Sequence, residues 1–234
     1  MMESGIMEYF DLHSHFLPGI DDGCKDCQEA MKVLIESKKQ GVVGIAATPH
    51  YYPNETVDRF LRRREDAYQQ LVEYLSKKNV IIPEICIGAE VAYRTGISRE
   101  HDLQQLCYGK SEFILLELPF AKWGSGVMYD IEQICCVHGL VPVIAHLERY
   151  AKYQDKRILN ELFDMNVLIQ MNAEHYLDIW NQRRAKKQIQ KQQIHVLGSD
   201  CHNISNRPPN VGNAAKKMRK RDWKRKFFDY GAKS

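Results

Sequence analysis

Histidines and carboxylates recur in this chain in short, well-separated clusters: Asp11-Leu12-His13-Ser14-His15, Asp21-Asp22-Gly23, Thr48-Pro49-His50, Gly88-Ala89-Glu90, Leu116-Glu117-Leu118, Ala145-His146-Leu147-Glu148-Arg149 and Ser199-Asp200-Cys201-His202. Two of these have a spacing with a direct physical consequence. Side chains alternate faces along an extended strand, so His13 and His15 point the same way, as do Asp200 and His202, and each pair can grip one cation. A lone histidine after a strand is ordinarily a satisfied core or surface residue. Five histidines and four carboxylates gathered in one place are different, because burying that much charge is costly without cations to neutralise it. The mixed set suits manganese, iron or zinc; all-oxygen ligands would suit magnesium or calcium, and thiolates would mark structural zinc. So many ligands exceed what one ion takes, which predicts a multinuclear cluster. Three divalent cations, four carboxylates and a bridging hydroxide carry a net charge of about +1, which attracts an anionic substrate.

Such clusters need a scaffold that brings them together. Apolar β-prone runs fall at residues 8–12, 42–47, 81–89, 113–118, 141–145, 167–170 and 194–198, and helical patterns lie between them at 27–40, 56–78, 127–137, 155–165 and 177–191. Gly41 and Gly139 stand where helix C-termini need a left-handed residue. The polar clusters follow the strands, where α/β architectures assemble their sites. Units of about 33 residues predict a single-domain β/α barrel, with an open doubly wound sheet as the alternative because strand count does not decide closure. His101, His138, His175 and His195 fall in or beside helices, or at a strand start, and read as structural; His175 lies nearest a strand end.

A chain of 234 residues with 44% hydrophobic and 27% charged residues is not a disordered one. Its longest apolar runs fall far short of the roughly 18 residues that span a bilayer. Residues 1–9 lack a basic flank and an apolar core, so a cytoplasmic location is expected. Seven scattered cysteines make no disulfide framework. The net charge of +3 is too mild to argue for nucleic acid, and it concentrates in a basic tail, where a helix is expected at about 211–229 with Met218, Trp223 and Phe227 packed inward.

Taken in order, these motifs resemble the polymerase-and-histidinol-phosphatase (PHP) superfamily, and within it the bacterial capsule and exopolysaccharide protein-tyrosine phosphatases. The resemblance runs from the opening stretch 11–23 through Thr48-Pro49-His50, Gly88-Ala89-Glu90 and His146-Leu147-Glu148-Arg149-Tyr150 to Ser199-Asp200-Cys201-His202-Asn203. It implies a distorted (β/α)7 barrel over residues 1–234 that holds three divalent ions, manganese first and iron or zinc otherwise. His13, His15, Glu90 and Asp200 would hold one ion. Glu90 would bridge to a second, held also by Glu117 and His146, and Asp22, His50 and His202 would hold the third. Asp22 matches the family's acid beside the glycine, which leaves Asp21 as a supporting group. Arg149 and Arg207 match its phosphate-binding arginines, whose guanidinium forks suit phosphoryl oxygens. The implied chemistry is in-line attack of a metal-activated hydroxide on a phosphotyrosine ester, with no phosphoenzyme. No acid for the leaving oxygen is evident, and a phenol with a pKa near 10 needs one less than an alkoxide does. The implied substrate is an autophosphorylated bacterial tyrosine kinase that governs polysaccharide export.

Other readings compete. Cys201 and Arg207 have the separation used by cysteine-dependent phosphatases, but the loop between them has no glycine, Pro208-Pro209 follows where a helix should start, and Asp200 would raise the thiol's pKa. Cys24 and Cys27 lack a second pair, so they do not make a zinc site. Histidinol-phosphate phosphatase and polymerase-associated nuclease are rivals within the superfamily. Outside catalysis, the basic tail would serve a binding module for an acidic partner or an anionic lipid. Phe16, Tyr51, Tyr52, Phe120, Trp123 and Tyr150 near the expected mouth suit either ring binding or packing.

Overall fold

Side-chain caps set where the helices begin. Asp26 accepts a hydrogen bond from Glu29 N to open α1 (Cys27–Lys39), and Thr56 opens α2 (Val57–Ser76) through Arg59 N. Gly139, at φ +65°, closes α3 (Ser125–His138). The computed structural model describes residues 8–218. Its strands are β1 (Tyr9–Asp11), β2 (Val42–Ala47), β3 (His50–Tyr51), β4 (Glu84–Ile87), β5 (Glu90–Ala92), β6 (Phe113–Glu117), β7 (Val141–Ile144), β8 (Leu168–Asn172) and β9 (Val196–Gly198). The later helices are α4 (Leu147–Tyr150), α5 (Lys156–Asp164), α6 (Ala173–Leu177), α7 (Gln182–Gln190) and α8 (Val211–Lys217).

Three expectations change in detail. Within the run at 81–89 only Glu84–Ile87 forms a strand, β4; the chain breaks at Gly88-Ala89, and β5 begins just beyond the run at Glu90. Of the pattern at 177–191, Gln182–Gln190 forms α7; Leu177 is the last residue of α6, and the two are separated by a turn in which Asp178 accepts from Trp180 N and from the Asn181 side chain. In the tail, α8 ends at Lys217 and Met218 turns to ψ 130° while packing into the core; Trp223 and Phe227 lie outside the described residues.

Every strand pairing is parallel, in the orders β1-β2-β4 and β3-β5-β6-β7-β8-β9. Pro49 has no N–H for a ladder, so β2 breaks before β3, while Pro49 O accepts from Glu90 N at 3.0 Å at the start of the β3–β5 pairing. Beyond β9 the chain meets the continuation of β1: Asp200 N donates to His13 O at 2.7 Å and His15 N to Cys201 O at 2.8 Å. The sheet therefore curls into a distorted β/α barrel whose first and last runs join at the C-terminal end.

Period-2 alternation sorts the walls. Leu115, Val143, Ala145 and Val196 form a small inner cluster, whereas Ile114, Leu116, Ile144, Ile169 and Leu197 belong to the large core shared with the helices. Along β6 the inner parity runs Phe113, Leu115, Glu117, which carries a carboxylate into the mouth. On β8 it runs Leu168, Gln170, Asn172.

Candidate metal centre

The His13–His15 segment is clamped by two close backbone approaches. A Cβ on Gly198 would lie 2.4 Å from His13 Cβ, and one on Gly23 would lie 1.9 Å from His15 O, so only glycine fits at either place. Beneath them, Asp11 is fully buried and accepts from Ser199 N at 2.9 Å, with burial pushing its carboxyl up to about 6.

The nine ligand positions named from the sequence all meet at this mouth. His13 Nε2 and His15 Nε2 lie 3.2 Å apart; each is 3.1 Å from Glu90 Oε2 and 3.6 and 3.5 Å, respectively, from Asp200 Oδ1. Tetrahedral ligands about 2.1 Å from a cation stand about 3.4 Å from one another, so these donors fit an ion. His146 Nε2 is 3.1 Å from Glu90 Oε1 and 3.4 Å from Glu117 Oε1. His202 Nε2 and His50 Nε2 lie 3.3 and 3.7 Å from Asp22 Oδ1, which is on the exposed rim. The donors fall into three mutually close sets: His13, His15, Glu90 and Asp200; His15, Asp22, His50 and His202; and His50, Glu90 and Glu117. The first is the expected set. In the second, His15 joins the expected three, and the third brings His50 toward the Glu90–Glu117 pair that His146 also touches.

The donor chemistry fits a metal as well as the spacing does. His15 Nδ1 lies 2.8 Å from Asp21 Oδ2 and His13 Nδ1 lies 3.3 Å from Gln170 Oε1, so both rings can donate outward and turn Nε2 lone pairs toward carboxylate oxygens. Acceptors packed face to face require positive charge between them. Without a cation, protons meet that demand. Burial lowers His15, but hydrogen bonds to Asp21 and Glu90 outweigh it and push the ring up to about 10; likewise Glu117 and Glu90 outweigh burial and hold His146 at about 9. Glu90 and Asp200 go the other way: burial would raise them, but the neighbouring imidazoles hold both below the usual carboxylate range.

Backbone strain also concentrates here. Among the described residues, three non-glycines have positive φ, and two are His146 (29°) and Asp200 (53°). Inner parity on β7 gives Val143 and Ala145, so a regular strand would turn residue 146 toward the helices; the left-handed step points His146 at Glu90 instead. Such a residue costs on the order of 1–3 kcal/mol, which the surrounding contacts must supply.

Asp200 divides its oxygens. Oδ1 faces the histidines, while Oδ2 accepts from Arg149 and Arg207 at 2.6 Å each and from Asn172 Nδ2 at 2.9 Å. Arg149 therefore does not pair with Glu148, its sequence neighbour. A cavity of about 100 Å³ lies against both arginines. Arg207 NH1 also donates to His202 Nε2 at 2.8 Å; burial and the positive charges of His15 and Arg207 depress His202 to about 4. Sequence reasoning missed Gln170 and Asn172, buried polar residues on one face of β8, although their i, i+2 spacing in an otherwise apolar run was a readable signal.

Cys201 is fully buried, and burial pushes its thiol well above the ordinary range, which removes it as a nucleophile. Cys24 and Cys27 join no metal-ligating group among the described residues. His138 Nε2 lies 2.7 Å from Ser98 O and His195 Nδ1 accepts from Ile169 N at 3.0 Å, both remote from the carboxylates.

Residues 9–228 match the protein family described as Capsular polysaccharide synthesis, CpsB/CapC. Tyrosine-protein phosphatase CpsB of Streptococcus pneumoniae is 29% identical over 240 residues, covering 94% of this chain and 95% of that one. Tyrosine-protein phosphatase YwqE of Bacillus subtilis is 28% identical over 216 residues, covering 84% and 78%. A crystal structure described under YwqE from B. subtilis and CpsB from S. pneumoniae, as unique metal-dependent tyrosine phosphatases, has a similar fold: TM-score 0.74 at 24% identity, over 88% of this chain and 84% of that one.

Proposed function

The chain belongs to the CpsB/CapC family of capsular polysaccharide synthesis, and from that membership we propose that it is a metal-dependent protein-tyrosine phosphatase acting through the histidine and carboxylate mouth. The observation that carries this reading is the convergence of five histidines and four carboxylates from separate strand ends into one contiguous cluster, with two arginines bound to its Asp200. His13, His15, Glu90 and Asp200 hold one ion; Glu90, Glu117 and His146 hold a second; Asp22, His50 and His202 hold a third. The ions are manganese, with iron or zinc as substitutes. Bound there, they supply Lewis acidity and a water acidic enough to ionise near neutrality.

The chain's own residues do the rest. Asp21 and Gln170 fix the ring orientations of His15 and His13. Arg149 and Arg207 bind the phosphoryl oxygens with charge-assisted hydrogen bonds. Asn172 keeps Asp200 in place when the arginines turn to substrate. The substrate is the phosphotyrosyl tail of an autophosphorylated kinase that controls polysaccharide export, met in the cytoplasm. Among the described residues, no helix is long and apolar enough to cross a membrane.

The test is elemental analysis of the purified protein combined with turnover of a phosphotyrosyl peptide and of histidinol phosphate. Chelation should abolish phosphotyrosine hydrolysis and manganese should restore it. Full activity after stripping, or a preference for histidinol phosphate, overturns the proposal.

A further inference from the structure

The rim of the mouth has two chemically different halves. On one side Arg149 and Arg207 converge on Asp200. On the other, around Glu117, stand two aromatic rings. Of the six aromatics that the sequence brings near the strand ends, Phe16, Tyr51, Trp123 and Tyr150 are buried in the core, while Tyr52 and Phe120 are 48% and 47% exposed. Tyr52 stacks on His50 with centroids 5.1 Å apart and planes at 23°; Phe120 stacks on His146 at 5.7 Å and 16°. His50 and His146 both face Glu117, so the two rings flank one carboxylate.

Neither ring is a loose surface side chain. Phe120 rests on Tyr150 at 5.3 Å; Tyr150 packs edge-on against Trp123 at 5.4 Å and accepts a hydrogen bond from Leu118 N. Aromatic surface this exposed and this well supported gains free energy by covering another ring. An aryl phosphate has the matching shape, with a dianionic end for the arginines and a flat apolar end for the rings.

We propose that Tyr52 and Phe120 form the ring-binding half of the mouth and are the residues that favour aryl over alkyl phosphate esters. This rests on the phosphatase reading and deepens it. The experiment compares kcat and KM of the metal-loaded enzyme for phosphotyrosine and phosphoserine with the variants Tyr52→Ala, Phe120→Ala, Tyr52→Phe and Phe120→Tyr. Each alanine variant should lower the aryl-to-alkyl ratio of kcat/KM by about 3- to 10-fold, through KM for the aryl ester, and the aromatic replacements should restore most of it. Metal content and the thermal midpoint, measured alongside, separate ring binding from damage to the fold. An equal loss on both esters, or an unaltered ratio, overturns the proposal. Calorimetric binding of phenylphosphonate and methylphosphonate gives a reading that needs no turnover. If the wild-type protein hydrolyses neither ester, the phosphatase reading fails, and ring binding stands or falls on whether the phenyl preference is present and lost in the alanine variants.

Discussion

The two ends of the barrel use the same side chain for opposite purposes. At the mouth, His13, His15 and His146 bring ring nitrogens within 3.1 Å of carboxylate oxygens, and side chains stand at the outer nitrogens of two of them, Gln170 at His13 and Asp21 at His15. At the foot of β9, His195 exchanges hydrogen bonds with the backbone of Ile169, donating through its own N and accepting at Nδ1. Ring electrostatics follow. Carboxylates pull His15 and His146 upward, whereas burial lowers His195. The lesson is that company, rather than position beside a strand, makes a histidine a candidate ligand: it needs converging acceptors at one nitrogen, and at His13 and His15 an orienting group stands at the other.

The largest expected effect separates the two ends outright. His13→Ala or Asp200→Ala should cut phosphotyrosine turnover by on the order of 10³-fold or more and lower bound metal. His195→Ala should keep the metal and lose only about 1–3 kcal/mol of stability, because it leaves the Ile169 N–H without its acceptor. Equal metal loss in both would erase the distinction.

Orientation comes next. Asp21→Asn and Gln170→Ala remove outer partners and should each weaken metal affinity by about 10- to 100-fold in a chelator competition. If neither changes affinity, the ring orientations are set by packing alone. Gly198→Ala tests the clamp: a methyl group 2.4 Å from His13 Cβ must displace the ligand strand, so the thermal midpoint should fall by the equivalent of about 1–3 kcal/mol, and bound metal should fall with it.

Opposite pH slopes sharpen the comparison further. In chelated protein, His15 near 10 and His146 near 9 stand above the ordinary 6.5. Their stabilisation is full below about pH 6.5 and is lost as pH rises through about 9 to 10. His195, lowered from 6.5 by burial, contributes stability above about pH 6.5 and loses it as pH falls. His146→Gln should therefore flatten the alkaline fall of the thermal midpoint, and His195→Gln the acid one. Added metal should reverse the alkaline slope, since its ligands must be deprotonated. A midpoint of chelated wild-type protein that climbs steadily to pH 10 contradicts this assignment. The smallest effect belongs to Cys201→Ser, which should leave kcat within about threefold because that thiol is buried and protonated.

Much of the centre was legible because strands and their ends leave local marks. The run 42–47 became β2 without a residue's change, and the nine residues read as candidate ligands lie close together at the mouth. What was not legible depends on breaks in regularity. Nothing local says that His146 takes a left-handed step, or that Gly88-Ala89 divides a strand so that Glu90 leaves the β1-β2-β4 sheet and pairs beside His50 in the other. Arg149 illustrates the same limit from the side of partner choice: its sequence neighbour Glu148 was the obvious anion, yet its guanidinium reaches Asp200, 51 positions away.

The amino-acid order by itself determined the repeating β/α units, the caps that bound α1 and α2, and the chemical type of every ligand, since propensity, alternation and donor identity are properties of short segments. Tertiary structure decided which donors come close to one another, which oxygen of Asp200 meets the arginines, and which two of six aromatics reach solvent. Those outcomes depend on how the curled sheet closes at His13 and Asp200, and distances between atoms far apart in the chain exist only after that closure.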